Sequence, residues 1–125
     1  MSHGDAETTV AELQELVVRF RDERNWQKHH TPKNLAISIM LEAAELLEHF
    51  QWDEYGEEDR QAITDELADI LKYAFIFADA YNLDISTAFR EKLDRDKQKY
   101  PLELFNKDRD GAEDYTKIKK RSRGK

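Results

Sequence analysis

At 125 residues the chain is long enough for one domain built on one core, and its near-equal shares of charged (38%) and hydrophobic (39%) residues suit a soluble, charge-rich fold rather than a disordered segment. A net charge of −7 argues against a general nucleic-acid binder, and the lack of cysteine removes disulfides, thiolate metal sites and cysteine nucleophiles. No apolar run approaches a membrane span and no apolar signal core opens the chain, so a cytoplasmic protein without a membrane partner is expected.

Hydrophobic spacing predicts four helices and no sheet. The first covers about residues 9–24: Thr9 with Glu12 three positions on has capping-box form, and Leu13, Leu16, Val17 and Phe20 supply an apolar stripe. Residues 25–30 are a polar connection holding one aromatic, Trp26. Thr31 before Pro32 joins an N-cap residue to a proline in the first turn, starting a second helix that reaches about Phe50. Residues 51–56 read as a loop. A third helix is expected over about 57–81, with acids in its first turn where the helix dipole favours them, and Asn82 ends it. Asp84 or Ser86 caps a fourth helix to about Lys99, and Pro101 stops it. The last twenty residues hold eight basic and four acidic side chains, leaving residues 1–105 with a net −11. The expected division is therefore a helical domain over 1–105 and a polar, basic-ended, flexible tail over 106–125. The fold class is all-α, a four-helix core.

Two pairs of acids carry the chemistry. Glu42 and Glu45 are three residues apart on the second helix, and Glu66 and Asp69 repeat that spacing on the third. Positions i and i+3 share a helix face, so two such helices packed together converge four carboxylates. Carboxylates that close cannot all ionise without a cation, and a hard divalent ion such as Mg²⁺ suits an all-oxygen donor set. At about 100° per residue, Leu35, Ser38, Glu45 and His49 lie within about 60° of Glu42, while Ile37, Met40, Leu41, Leu47 and other apolar residues cover most of the remaining circumference. A helix so apolar is expected to be buried nearly all round, with the acids in a narrow gap. On the third helix Glu66 and Asp69 segregate with Tyr73 and Phe77, and Asp65, Lys72 and Asp79 form a separate stripe expected to face solvent. Two other readings of the acids stand beside the metal site: inter-helix salt bridges, and the border of an oligomer interface.

Other metal chemistries fit less well. Paired Glu-x-x-His units of a di-iron bundle are missing, as are an EF-hand loop, a His-Glu-x-x-His zinc motif and a glycine-rich phosphate loop. Trp26, Trp52 and Tyr73 flank the acid pairs as candidate surfaces for a nucleobase, and His30 and Lys33 are candidate phosphate contacts.

In this order and spacing the residues resemble the all-α nucleoside triphosphate pyrophosphohydrolases of the MazG type, within them the dCTP pyrophosphatase branch. The resemblance runs from about Leu13 to Pro101. It rests on residues 20–26 (FRDERNW), His30, residues 32–35 (PKNL), residues 42–45 (EAAE), residues 50–52 (FQW), residues 66–69 (ELAD) with Tyr73, and Lys92 with residues 99–101 (KYP). It implies Mg²⁺-dependent hydrolysis of a nucleoside triphosphate, dCTP or a modified dCTP, to the monophosphate and pyrophosphate. It implies metal ligation and catalysis by Glu42, Glu45, Glu66 and Asp69, substrate contacts from Trp26, His30, Lys33, Trp52, Tyr73, Lys92 and Asp96, and a homotetramer built as a dimer of dimers. Three positions depart from the pattern: Leu41 replaces a second acid before the first ligand, Asp96 replaces an asparagine, and the loop after Trp52 is short. Competing readings are a broad-specificity house-cleaning hydrolase for non-standard nucleotides and a non-catalytic, nucleotide-binding helical oligomer. The surplus of apolar surface on the two central helices points to an oligomer, with Ile37, Leu41, Phe75 and Ala78 as candidate subunit contacts.

Overall fold

The computed structural model describes residues 3–56, 59–105 and 112–124. Every regular element among them is helical: α1 (Val10–Glu23), a 3₁₀ turn (Gln27–His29), α2 (Pro32–Glu48), α3 (Arg60–Ala80), α4 (Ile85–Lys99), a second 3₁₀ turn (Leu102–Leu104) and α5 (Ala112–Ser122). The all-α expectation holds. The fifth helix lies inside the segment read as a polar tail and has no counterpart in the sequence reading. No helix among the described residues is long and apolar enough to cross a membrane. The chain divides into two compact units, Met1–Ile85 and Ser86–Lys125.

Local chemistry explains most of the helix ends. Thr9 and Thr31 cap α1 and α2, each hydroxyl accepting from the amide three residues on at 3.1 Å. α3 starts later than expected: Asp59 is its N-cap, accepting from the Ala62 amide at 3.2 Å, and its first turn carries no acid. Glu57 and Glu58, the acids assigned to that turn, lie outside the described residues. Ser86 falls inside α4 rather than capping it, with Asp84 just before the helix. α1 and α3 end alike. Asn25 (φ 54°) and Asn82 (φ 56°) adopt the left-handed conformation, and the next amide reaches back five residues, Trp26 to the Arg21 carbonyl and Leu83 to that of Ala78. This is the Schellman reversal, which asparagine tolerates better than most residues. Gly56 (φ 60°) closes the α2–α3 turn where a Cβ would come within 2.4 Å of the Phe50 ring, so both conformation and space demand glycine there.

In the first unit α3 packs against both α2 and α1. Gln14 Nε2 donates to the Phe75 carbonyl and Arg21 pairs with Asp79, so α1 and α3 run the same way. Among the described residues the buried apolar set is small: Leu35, Ile76 and Ala78. The expectation that α2 is buried nearly all round is corrected here. Met40, Leu41 and Leu47 are 61, 53 and 69% exposed, because α3 covers only one side of a helix that is apolar on several. Ala78, expected at a subunit contact, is instead buried within the chain. In the second unit Tyr100 stacks on Tyr115 (centroids 5.2 Å) and meets Phe105 edge-on.

Candidate active site

The acid strip survives as geometry. Carboxylate oxygens of Glu42, Glu45 and Glu66 all lie within 4.8 Å of one another, Glu42 and Glu66 partly buried and Glu45 exposed. α2 supplies two of them from successive turns, and α3 presents the third across the helix pair. The Glu42 Oε2 atom is enclosed and has no hydrogen-bond partner. Its carboxyl is pushed up from the ordinary 4.5 to about 7, first by burial, then by the hydrogen-bonding closeness of Glu45 and Glu66, then by the charges of Glu45 and Asp69. An orphaned oxygen in a crowd of carboxylates is the environment a hard divalent cation relieves, so the donor set fits such an ion.

Asp69 stands apart from that trio. Its Oδ1 pairs with Lys72 Nζ at 3.2 Å. Lys72, expected on the solvent stripe, sits one turn beyond Asp69 and meets it at the edge of the strip. His49 enters from α2's C-cap, its Nε2 3.6 Å from Glu66 Oε1. The sequence placed His49 on the acid strip and gave it no role. Its position seven residues after Glu42, two turns along the same face, was the available signal.

The aromatic and basic candidates distribute as follows. Trp26 precedes the first 3₁₀ turn, its ring edge-on to Phe20 at 5.5 Å, with the Arg24 guanidinium over Phe20 at 3.8 Å. His30 closes that turn. Its Nδ1 is enclosed without a partner, and its pKa is lowered by burial, then by the charges of Arg21 and His29. Lys33 is exposed in the first turn of α2. Trp52 is 92% exposed, yet lines one wall of a cavity of about 220 Å³ together with His49, Asp53 and Ile63. Tyr73 is half-buried on α3, with Lys72 Nζ 4.9 Å from its ring centroid. Lys92 and Asp96 lie on α4 in the second unit and form an ion pair with each other, the Lys92 hydrogen bond holding the Asp96 carboxyl below its ordinary value.

The Glu42 shift makes a testable statement about stability. Its folded pKa exceeds the unfolded one, so between 4.5 and about 7 the native state binds more protons. The stability this group contributes is complete below 4.5 and is lost as pH rises through about 7. In chelator, melts of the native chain minus those of Glu42→Gln should show a decline from pH 5 to pH 8 on the order of 2 kcal/mol. A difference that is flat across that range would show that Glu42 is not crowded.

Comparison with known proteins follows the same lines. The MazG-like family profile matches residues 37–116. The chain is 33% identical over 106 residues to dCTP pyrophosphatase 1 of Rattus norvegicus, covering 78% of this chain and 62% of that protein. It is 32% identical over 120 residues to dCTP pyrophosphatase 1 of Homo sapiens, covering 90% and 69%. The chain thus spans a little under or over two thirds of the length of these relatives. Among solved structures, a pyrophosphatase from Archaeoglobus fulgidus DSM 4304 superposes with a TM-score of 0.69 at 40% identity, covering 81% of this chain and 98% of that one.

Proposed function

Because the chain belongs to the MazG-like family, we propose that it hydrolyses nucleoside triphosphates to the monophosphate and pyrophosphate with a divalent cation held by Glu42, Glu45 and Glu66, which Asp69 joins on leaving Lys72. The observation that carries this reading is the convergence of three carboxylates around an enclosed, unpartnered Glu42 oxygen. A non-catalytic module gains nothing from such crowding, which costs stability wherever the acids ionise.

When bound, Mg²⁺ neutralises triphosphate charge and acidifies water. The chain's own groups do the rest. We assign to Glu45, the exposed member of the trio, the proton of a water attacking the α-phosphorus, taken by a carboxylate oxygen left free of the cation; the α–β bridging P–O bond breaks and pyrophosphate leaves. Trp26 and Trp52 offer faces for the base, and His30 and Lys33 offer donors to phosphate or sugar oxygens.

The relatives named dCTP pyrophosphatase support a cytosine deoxynucleotide as substrate. The exposure of Trp52 on a short loop supports a second reading, a wider set that includes non-standard nucleotides. A panel of ribo- and deoxynucleoside triphosphates with Mg²⁺, followed by phosphorus NMR, tests both. Pyrophosphate is expected as the first product, most rapidly from dCTP or a modified dCTP. Orthophosphate as the first product would overturn the reaction, and equal rates on all bases would overturn the cytosine preference.

The same reading includes a homo-oligomer, a tetramer built as a dimer of dimers. Met40, Leu41 and Leu47 on α2 and an apolar groove of about 380 Å³ between α1 and α3, lined by Leu13, Leu16, Phe20, Leu71 and Phe75, leave more apolar surface in water than single chains usually tolerate. Light scattering at micromolar concentration is expected to give the mass of four chains. A fully active monomer on dilution would overturn this.

A further inference from the structure

Among the described residues Arg21 is the sole buried charged side chain, about 10% exposed. A buried guanidinium is costly unless it is paired. Its Nε donates to Asp22 Oδ1 at 2.8 Å and its Nη1 to Asp79 Oδ2 at 2.9 Å, joining the end of α1 to the last turns of α3. Asp79, expected on the stripe that faces solvent, is exposed on one side and holds Arg21 with the other, 42% of its side chain remaining accessible. The backbone of Arg21 makes a separate connection. Its carbonyl accepts from the amides of Arg24 (3.2 Å) and Trp26 (3.1 Å), closing the reversal that leads from α1 into the 3₁₀ turn. At the far end of that turn is His30, whose lowered pKa has the Arg21 charge among its causes. One residue therefore connects three parts: α1, α3 and the segment from Trp26 to His30.

Simple fastening of α1 to α3 does not call for a buried charge, since apolar residues of equal volume pack at least as well. A guanidinium forked between two carboxylates adds direction, because its donors lie in one plane at fixed angles. We infer that Arg21, held by Asp22 and Asp79, is a positioning residue that fixes Trp26 and the turn to His30 in the place where they meet the nucleotide. Arg21 itself touches no substrate. The inference rests on the proposed reading of Trp26 and His30 as nucleotide contacts.

The experiment separates the two. The chain has two tryptophans, so Trp52→Phe leaves Trp26 as sole reporter. In that background, emission and acrylamide quenching of the nucleotide-free protein are compared with and without Arg21→Met, Arg21→Lys and Asp79→Asn. Kinetics are measured in chains that retain Trp52. The expected result is a red-shifted, more readily quenched Trp26 in all three. KM should rise about fivefold, the loss of part of a base–aromatic stack, with kcat within about twofold. Lysine is not expected to rescue, because a point charge cannot hold both acids as the fork does. Asp79→Asn keeps the side-chain shape and the Arg21–Asp22 pair, so it answers the question if Arg21→Met fails to fold. A lower melting temperature with Trp26 spectra and KM unchanged would overturn the inference and leave a mere fastening. Trp26 spectra that shift while KM stays constant would uphold the clamp and overturn Trp26 as a nucleotide contact.

Discussion

Glu42→Gln should lower turnover of a nucleoside triphosphate about a thousandfold or more, with helical content unchanged. The reason is the position of the side chain: it is the enclosed member of the trio, so no water-exposed acid replaces it when an amide takes its place. Several kcal/mol of transition-state charge stabilisation is what a well-held divalent ion contributes, and each 1.4 or so is about a factor of ten. Glu66→Gln should behave alike, because it closes the trio from α3. A second measurement on the same variants distinguishes a metal site from a structural one. With acid–acid repulsion relieved, each metal-free variant should melt at or above the temperature of the native chain at pH 8. Added Mg²⁺ should raise the melting temperature of the native chain and not that of the variants. Near-normal turnover in either variant would remove the metal assignment. A clear fall in melting temperature would instead return the acids to structural ion pairing.

Trp52→Ala should weaken binding of a non-hydrolysable dCTP analogue roughly five- to a hundredfold, the range of one base–aromatic stack, while Mg²⁺ affinity changes little. The ring is almost wholly exposed, an arrangement with no benefit to the isolated chain, and it borders the cavity that His49 also lines, next to Glu66. Exposure leaves one competitor: contact with a second subunit. That competitor predicts loss of assembly, with nucleotide affinity intact in whatever remains folded. Calorimetric titration beside light scattering tells the two apart, and an unchanged analogue affinity would exclude Trp52 from the site.

Reading the chain as a string of local signals located the helices well. Thr9, Thr31 and Asn82 each act through hydrogen bonds to residues within a turn or so of themselves, so their effect needs no knowledge of the rest of the fold. The start of α3 was expected too early because the run of acids was read as its first turn, whereas Asp59, whose short side chain suits an N-cap, stands just before the helix. The tail helix escaped because Ala112–Ser122 is polar and basic overall, although Tyr115 and Ile118 stand three residues apart on one face, a helical spacing that was the available signal.

The grouping of Glu42 with Glu45, and of Glu66 with Asp69, follows from helical spacing alone, and so does their separation from most other charges. The sequence by itself therefore determined the face on which each acid stands. Which groups meet across helices was decided only by tertiary structure. Glu66 turns inward across the helix pair to Glu42 and Glu45; Asp79 reaches Arg21 of α1 while 42% of its side chain stays exposed; Met40, Leu41 and Leu47 stay exposed on a helix whose pattern promised burial. The physical reason is common to all three. Periodicity specifies a side chain's direction about its own axis, whereas its partner depends on how each helix is rotated and displaced against its neighbours, and that is set by packing of the whole unit.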